Sequence, residues 1–303
     1  MYSIDLGKSG LQVPTIAVGC MRISKMNEKE VSAFVHTALD LGANFFDHAD
    51  IYGGGESETV FGKAISPSMR ENMFIQTKCG IRPGQYDFSY DHIVKSVDGS
   101  LKRLGTDYVD VLLLHRPDTL MEPEEVARAF SYLKERGKVR HFGVSNQNPY
   151  QIQLLESALD MPICANQLQF GIMHTPMIQS GNHVNMYTEA GTVRDGGVLD
   201  YCRLNKITIQ PWSPLQYGFF EGCFIDNEKF PVLNETLEEI GNRYSVSKTT
   251  MAFAWILRHP AKMQPVTGTT NLIRLADCLK ASEIRITHEE WYEIYRAAGN
   301  TLP

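Results

Sequence analysis

Four side chains with acid–base capability close three consecutive apolar runs. Asp47 and Tyr52 lie in Phe45-Phe46-Asp47-His48-Ala49-Asp50-Ile51-Tyr52-Gly53, Lys78 ends Ile75-Gln76-Thr77-Lys78, and His115 ends Leu112-Leu113-Leu114-His115. A phenol of pKa about 10 is a weak acid at neutral pH. A desolvated ammonium beside it stabilises the phenolate and moves its proton toward useful acidity, so the set reads as proton-donor chemistry. Each residue alone has an ordinary reading, as a surface ion pair or a satisfied core group. Their convergence is what would carry a function.

Convergence requires neighbouring parallel strands. Apolar runs alternate with amphipathic stretches along the chain, at Ile16 to Met21, Asn44 to Ala49, Met73 to Lys78, Val109 to His115, His141 to Asn146, Ile163 to Gln169, Thr208 to Leu215 and Met263 to Gly268. Runs such as Val111-Leu112-Leu113-Leu114 are apolar on both faces, as strands covered by helices must be. Helices are expected near 28–41, 57–65, 89–104, 123–136, 148–159, 194–205, 233–258 with a break near Ser245, and 271–281. Pro and acid at Glu122-Pro123-Glu124-Glu125 mark a first turn, and Gly42, Gly105 and Gly137 stand where helices should stop.

Eight β-α repeats without a composition break predict a (β/α)8 TIM barrel in a single domain over residues 1–303. Residues 2–15 read as an N-terminal β-hairpin, 171–193 as a long loop after the sixth strand, and Thr287-His288-Glu289-Glu290 as a capping box opening an extra C-terminal helix on the outside. In such a barrel the strand ends form one mouth. Side-chain alternation puts Phe45 and Asp47, Phe74, Gln76 and Lys78, and Val111, Leu113 and His115 on the inward faces of their strands.

Composition narrows the partners. With 43% hydrophobic residues the chain can bury a large core, and a formal charge of -6 argues against nucleic acid or an anionic membrane surface. Met1 to Lys8 shows no basic segment leading into an apolar one, so a cytoplasmic location is expected. Six cysteines lie far apart with no C-x-x-C, which predicts reduced, buried thiols and no metal site. The glycines after Tyr52 fit no phosphate-loop pattern and read as a tight turn into a helix; G-x-S-x-G and H-E-x-x-H are also absent.

Over essentially its whole length the sequence resembles the aldo-keto reductase family. The resemblance rests on Asp47-x4-Tyr52, Lys78 in Gln76-Thr77-Lys78, His115 in Leu114-His115-Arg116-Pro117, Gly143-Val144-Ser145-Asn146, Asn166-Gln167, Trp212-Ser213-Pro214-Leu215, and Gly268-Thr269-Thr270-Asn271 with Arg274. It implies an NADP-dependent oxidoreductase that reduces a small-molecule aldehyde or ketone to an alcohol, NADP(H) being favoured and NAD(H) possible. Tyr52 would be the general acid, Lys78 held by Asp47 would lower its pKa, and His115 would orient the carbonyl.

Ser145, Asn146 and Gln167 would meet a carboxamide, and Trp212, where the family usually has Tyr, would cover one nicotinamide face. Ser213, Leu215, Gly268 and Thr269 would take phosphates, Arg274 the 2′-phosphate of NADP, and Met21 and Asp47 would complete the cofactor wall. Many relatives carry Lys at the position of Gly268 and Asn at that of Cys278, so a weaker NADP preference is expected. Two other readings have a sequence basis: a Schiff-base lyase using Lys78, and a nucleotide-binding regulatory subunit with weak or no turnover, as in potassium-channel β subunits of this family. Pocket walls would come from Met21, Arg22, the 171–193 loop and Gln216 to Phe220, where Tyr217, Phe219 and Phe220 suggest an aromatic lining.

Overall fold

The computed structural model describes residues 2–303. Seven strands form one parallel sheet, and their spatial order is their chain order: Val18–Gly19, Phe45–Asp47, Phe74–Cys79, Val109–Leu114, Val139–Ser145, Ile163–Gln169 and Thr208–Trp212. The eighth apolar run closes the ring with little regular strand of its own. Gln264 and Val266 donate backbone N–H groups to Ile209 and Pro211, while Ala17 donates to Pro265 and Thr267 donates back to Ala17. Gly19 explains the tight seam at this closure, because a Cβ there would collide with the Thr267 carbonyl.

Alternation along the strands separates two apolar layers. Phe45, Val111, Leu113, Ala165 and Val266 fill the barrel interior, which Leu6 and Val13 of the hairpin Ser3–Asp5 and Gln12–Pro14 plug from below. Phe46, Ile75, Leu112, Leu114 and Val144 face outward into the helices. Fully burying each such side chain contributes about 1.5–3 kcal/mol, so both faces of the sheet drive closure.

The helices begin and end where the local chemistry requires. Asn27 with Glu30, Asn148 with Gln151 and Thr287 with Glu290 form reciprocal capping boxes. Pro123 opens its helix, and Gly105 closes another with φ 64°, sending its N–H to the Leu101 carbonyl. The expected break in 233–258 occurs at Ser245, φ 56°, between helices Pro231–Tyr244 and Lys248–Leu257. Helix His288–Ala297 packs outside the barrel, where Trp291 stacks on Trp255 with centroids 4.7 Å apart. Each indole N–H donates to the other residue's carbonyl at 3.0 Å, so neither buried donor is left unpaired.

Two local expectations need correction. The 171–193 segment contains a helix, Pro176–Asn182, with Pro at its first turn, held by the chain's end: Thr175 and Gln179 both donate to the Asn300 side-chain carbonyl. Five cysteines are buried, but Cys223 is exposed. Among the described residues no helix is long and apolar enough to cross a membrane.

Candidate active site

The strand Phe45–Asp47 ends at the aspartate, and the chain then turns so that Tyr52 comes back over the neighbouring strand. His48 N–H bonds to the Gln76 carbonyl, Asp50 N–H to that of Lys78, and His115 N–H to that of Cys79, extending the ladder to the mouth. Tyr52 opens a 3-10 turn through Gly53, Gly54 and Gly55, whose φ values of 60°, 67° and 96° lie in the left-handed region. Helix Glu56–Ala64 follows directly, as the glycine run implied.

Lys78 is fully buried and spends its three ammonium protons on three acceptors. Its Nζ lies 2.8 Å from Asp47 Oδ2, 2.7 Å from the His48 carbonyl and 3.0 Å from the Tyr52 hydroxyl. The Tyr52 and His115 rings meet edge to face, with centroids 5.9 Å apart. Aspartate, tyrosine, lysine and histidine therefore share one wall, as the strand ends predicted.

Burial sets the protonation states. For Lys78, burial works against the charge, but Asp47 and then Tyr52 outweigh it, and the ammonium's pKa is raised. For Tyr52, burial raises the phenol's pKa, Lys78 pulls it down and Asp47 raises it; the net direction is up. The expectation that Lys78 brings the phenol below its ordinary value is thus corrected: desolvation wins, and the hydroxyl keeps its proton at neutral pH. His115 is held well below its usual pKa by burial, then by Lys78 and Arg116, so it is a neutral imidazole, with Nδ1 buried and unpartnered.

The fifth, sixth and seventh strand ends make the adjoining wall. Buried Ser145 donates to the Gln167 carbonyl at 3.0 Å, Asn146 donates to Ser145 Oγ at 2.7 Å, and the Trp212 indole donates to Asn146 Oδ1 at 3.1 Å. Asn146 and Ser213 have positive φ, 56° and 51°, which lifts both from the strand direction toward the mouth. The Trp212 ring lies 5.9 Å from that of Phe220 and carries the Arg116 guanidinium 5.5 Å away. Gln167 turns its amide inward, donating to Asp47 Oδ1 at 3.2 Å.

Cations gather at the eighth strand exit. Asn271 caps helix Leu272–Lys280, and exposed Arg274 stands in its first turn with no carboxylate within salt-bridge distance among the described residues. Arg22, from the first strand's loop, donates to the Gly268 carbonyl and fills the space that a side chain at 268 would need. Met21 is 40% exposed and Leu215 and Thr269 are partly buried, whereas Cys278 is buried in the core.

These surroundings fit a nicotinamide dinucleotide. Side-chain amides and an indole line the fifth-to-seventh strand ends, while an unpaired guanidinium at a helix start supplies what a phosphate needs. Sequence reasoning missed Arg22 as a neighbour of Gly268, since 246 residues separate them. It placed Gln76 on an inward face but gave it no role at the site, where its amide donates to Asp47 Oδ1 at 2.6 Å. The available signal was its place two residues before Lys78 on an inward-facing position.

Known proteins agree with this architecture. A family model described as "Aldo/keto reductase family" matches residues 15–298. The Bacillus subtilis uncharacterized oxidoreductase YcsN is 36% identical, over all of both chains. The 6-dehydroglucose reductase of Agrobacterium fabrum is 34% identical, covering 95% of each chain. A crystal structure of the thermostable aldo-keto reductase Tm1743 with the inhibitor epalrestat superposes with a TM-score of 0.79 at 28% identity, covering 98% of this chain and 100% of that one. With the barrel, the four convergent side chains and a match that runs nearly end to end, the chain belongs to the aldo/keto reductase family.

Proposed function

We propose that the protein reduces aldehydes or ketones to alcohols with NADPH, Tyr52 donating the proton. The observation that carries this reading is the 3.0 Å contact of the buried Lys78 ammonium with a phenol hydroxyl, backed by Asp47 at 2.8 Å. When bound, the reduced dinucleotide supplies the hydride. Ser145, Asn146 and Gln167 would orient its carboxamide, Trp212 would offer an aromatic face, and Arg274, Gly268, Thr269, Ser213 and Leu215 would receive its phosphates.

In this reading the substrate oxygen would sit between Tyr52 and His115, whose rings meet edge to face with centroids 5.9 Å apart. Neutral His115 offers one N–H to that oxygen, and Tyr52 releases its proton there as negative charge develops. Lys78 then stabilises the phenolate left behind. The same ammonium weighs against a Schiff-base lyase, because its raised pKa and three partners leave no free amine to attack a carbonyl.

The test is a panel of aldehydes and ketones with NADPH and with NADH, followed by nicotinamide absorbance. Polyhydroxy aldehydes belong in it, since two relatives are named 6-dehydroglucose reductase. Turnover with NADPH supports the reading. Tight dinucleotide binding without turnover on any compound would favour the regulatory-subunit reading instead.

A further inference from the structure

Four glutamines run through the barrel from its plugged end to the aspartate. Gln76, Gln210 and Gln264 are fully buried, and Gln167 is 3% exposed. Gln264 Nε2 donates to the Pro14 carbonyl of the hairpin at 2.6 Å, and its Oε1 accepts from Gln210 Nε2 at 2.8 Å. Gln210 and Gln76 exchange amide bonds, Gln76 Nε2 to Gln210 Oε1 at 2.9 Å and Gln210 Nε2 to Gln76 Oε1 at 3.1 Å. Gln167 Nε2 reaches Gln210 Oε1 at 3.3 Å. At the far end, Gln76 and Gln167 both donate to Asp47 Oδ1, at 2.6 Å and 3.2 Å.

The polarity of this chain is fixed from both ends. A backbone carbonyl can only accept, so Gln264 must offer it Nε2 and turn Oε1 toward Gln210. An ionised carboxylate can also only accept, so Gln76 and Gln167 must present Nε2 to Asp47. The reciprocal pair between Gln76 and Gln210 satisfies both demands at once. In a dry barrel interior, flipping any one amide would leave buried groups facing like groups, which is costly.

We infer that this glutamine chain positions Asp47, with Gln76 as the positioning residue that holds Oδ1 so that Oδ2 stays on Lys78 and the ammonium keeps a proton aimed at Tyr52. The inference rests on the proposed reductase chemistry for its effect on rate, but its geometric content does not. Without Gln76, Oδ1 keeps only the longer 3.2 Å bond from Gln167, and the carboxylate gains freedom to swing about its Cβ–Cγ bond. Lys78 follows its counter-ion, and the phenol loses its cationic neighbour.

The test replaces Gln76 with Met, which keeps the length and apolar stem but cannot donate. Two readouts are taken. One is the pH profile of kcat for a carbonyl substrate with NADPH. The other is titration of the Tyr52 ring in free protein labelled with 13C-tyrosine, its signal assigned by its loss in Tyr52→Phe. Expected for Gln76→Met are a fall in kcat of about tenfold with KM for NADPH within about twofold, and a Tyr52 titration moved to higher pH.

Unchanged kcat and an unchanged Tyr52 titration would overturn the inference and leave the glutamines a purely structural filling. If the wild-type protein reduces no carbonyl, the proposed function fails, yet the Tyr52 titration still decides the positioning claim. Should Gln76→Met not fold, Gln210→Met, one link further from Asp47, is read the same way: a shifted Tyr52 titration supports the inference and an unshifted one refutes it.

Discussion

The Trp212 indole N–H donates to the Asn146 side-chain carbonyl over 3.1 Å, tying the end of the seventh strand to that of the fifth. Asn146 sits at a positive φ of 56°, which a non-glycine residue holds only when its surroundings compensate. Trp212→Phe keeps an aromatic face but removes that donor. Calorimetric titration should show NADPH binding weakened by about three- to tenfold, the worth of one hydrogen bond, with the fold's melting temperature little changed.

Tyr52→Phe removes the transferable proton and the acceptor for one Lys78 N–H, while leaving the ring. Single-turnover reduction of a good aldehyde should slow by about 10²–10⁴-fold, the span that a positioned general acid contributes. NADPH affinity should stay close to wild type. Equal hydride-transfer rates in the two proteins would remove Tyr52 from the acid's role.

Behind the tyrosine turn lie two further carboxylates, Glu58 and Asp50. Glu58 is fully buried and takes Arg103 at 2.8 Å and the Thr77 hydroxyl at 2.6 Å. Asp50 has one buried oxygen without a partner; burial, then Glu58, raises its pKa to about 7. A raised carboxyl pKa means that the folded state binds the proton more tightly, so this contribution to stability is full below about pH 4 and is lost as pH rises toward 7. Asp50→Asn cannot ionise. Urea unfolding should therefore find it more stable than wild type at pH 8, by on the order of 2 kcal/mol, with the gap closing near pH 4.

Arg274 carries the preference for a 2′-phosphate in this reading, and no carboxylate competes for it among the described residues. Arg274→Gln should lower NADPH affinity by about tenfold or more, as loss of a charge-assisted hydrogen bond implies, and leave NADH affinity within about twofold. Arg22, beside Gly268, supplies a second cation at that corner and would keep the residual preference above zero. Equal losses for both dinucleotides would place Arg274 away from the 2′-phosphate.

Much of this site is legible in the chain because a parallel barrel turns sequence order into spatial order. Asp47, Lys78 and His115 close successive apolar runs, and strand pairing alone brings them together. The eight runs are readable because both faces of each strand are buried, which leaves unbroken aliphatic stretches. What stays hidden depends on tertiary burial or on long reach. Gln76 and Gln210 are ordinary polar residues until opposite strands put their amides 2.9 Å apart. The direction of the Tyr52 shift depends on how dry its pocket is, which no neighbour in sequence reports. Helix Pro176–Asn182 is short and rich in Gly, Ser and Asn, so its pattern looks like loop.

The glycine turn behind Tyr52 changes how mutational scans of this region should be interpreted. A Cβ at Gly53 would sit 2.5 Å from that of Ser24, and one at Gly55 would lie 2.9 Å from the Arg103 side chain, both on a backbone that L-residues avoid. Alanine at either place would abolish turnover by moving the phenol off its mark. In the proposed mechanism a dead variant there would report on the turn that aims Tyr52, and should not be counted among the groups that react.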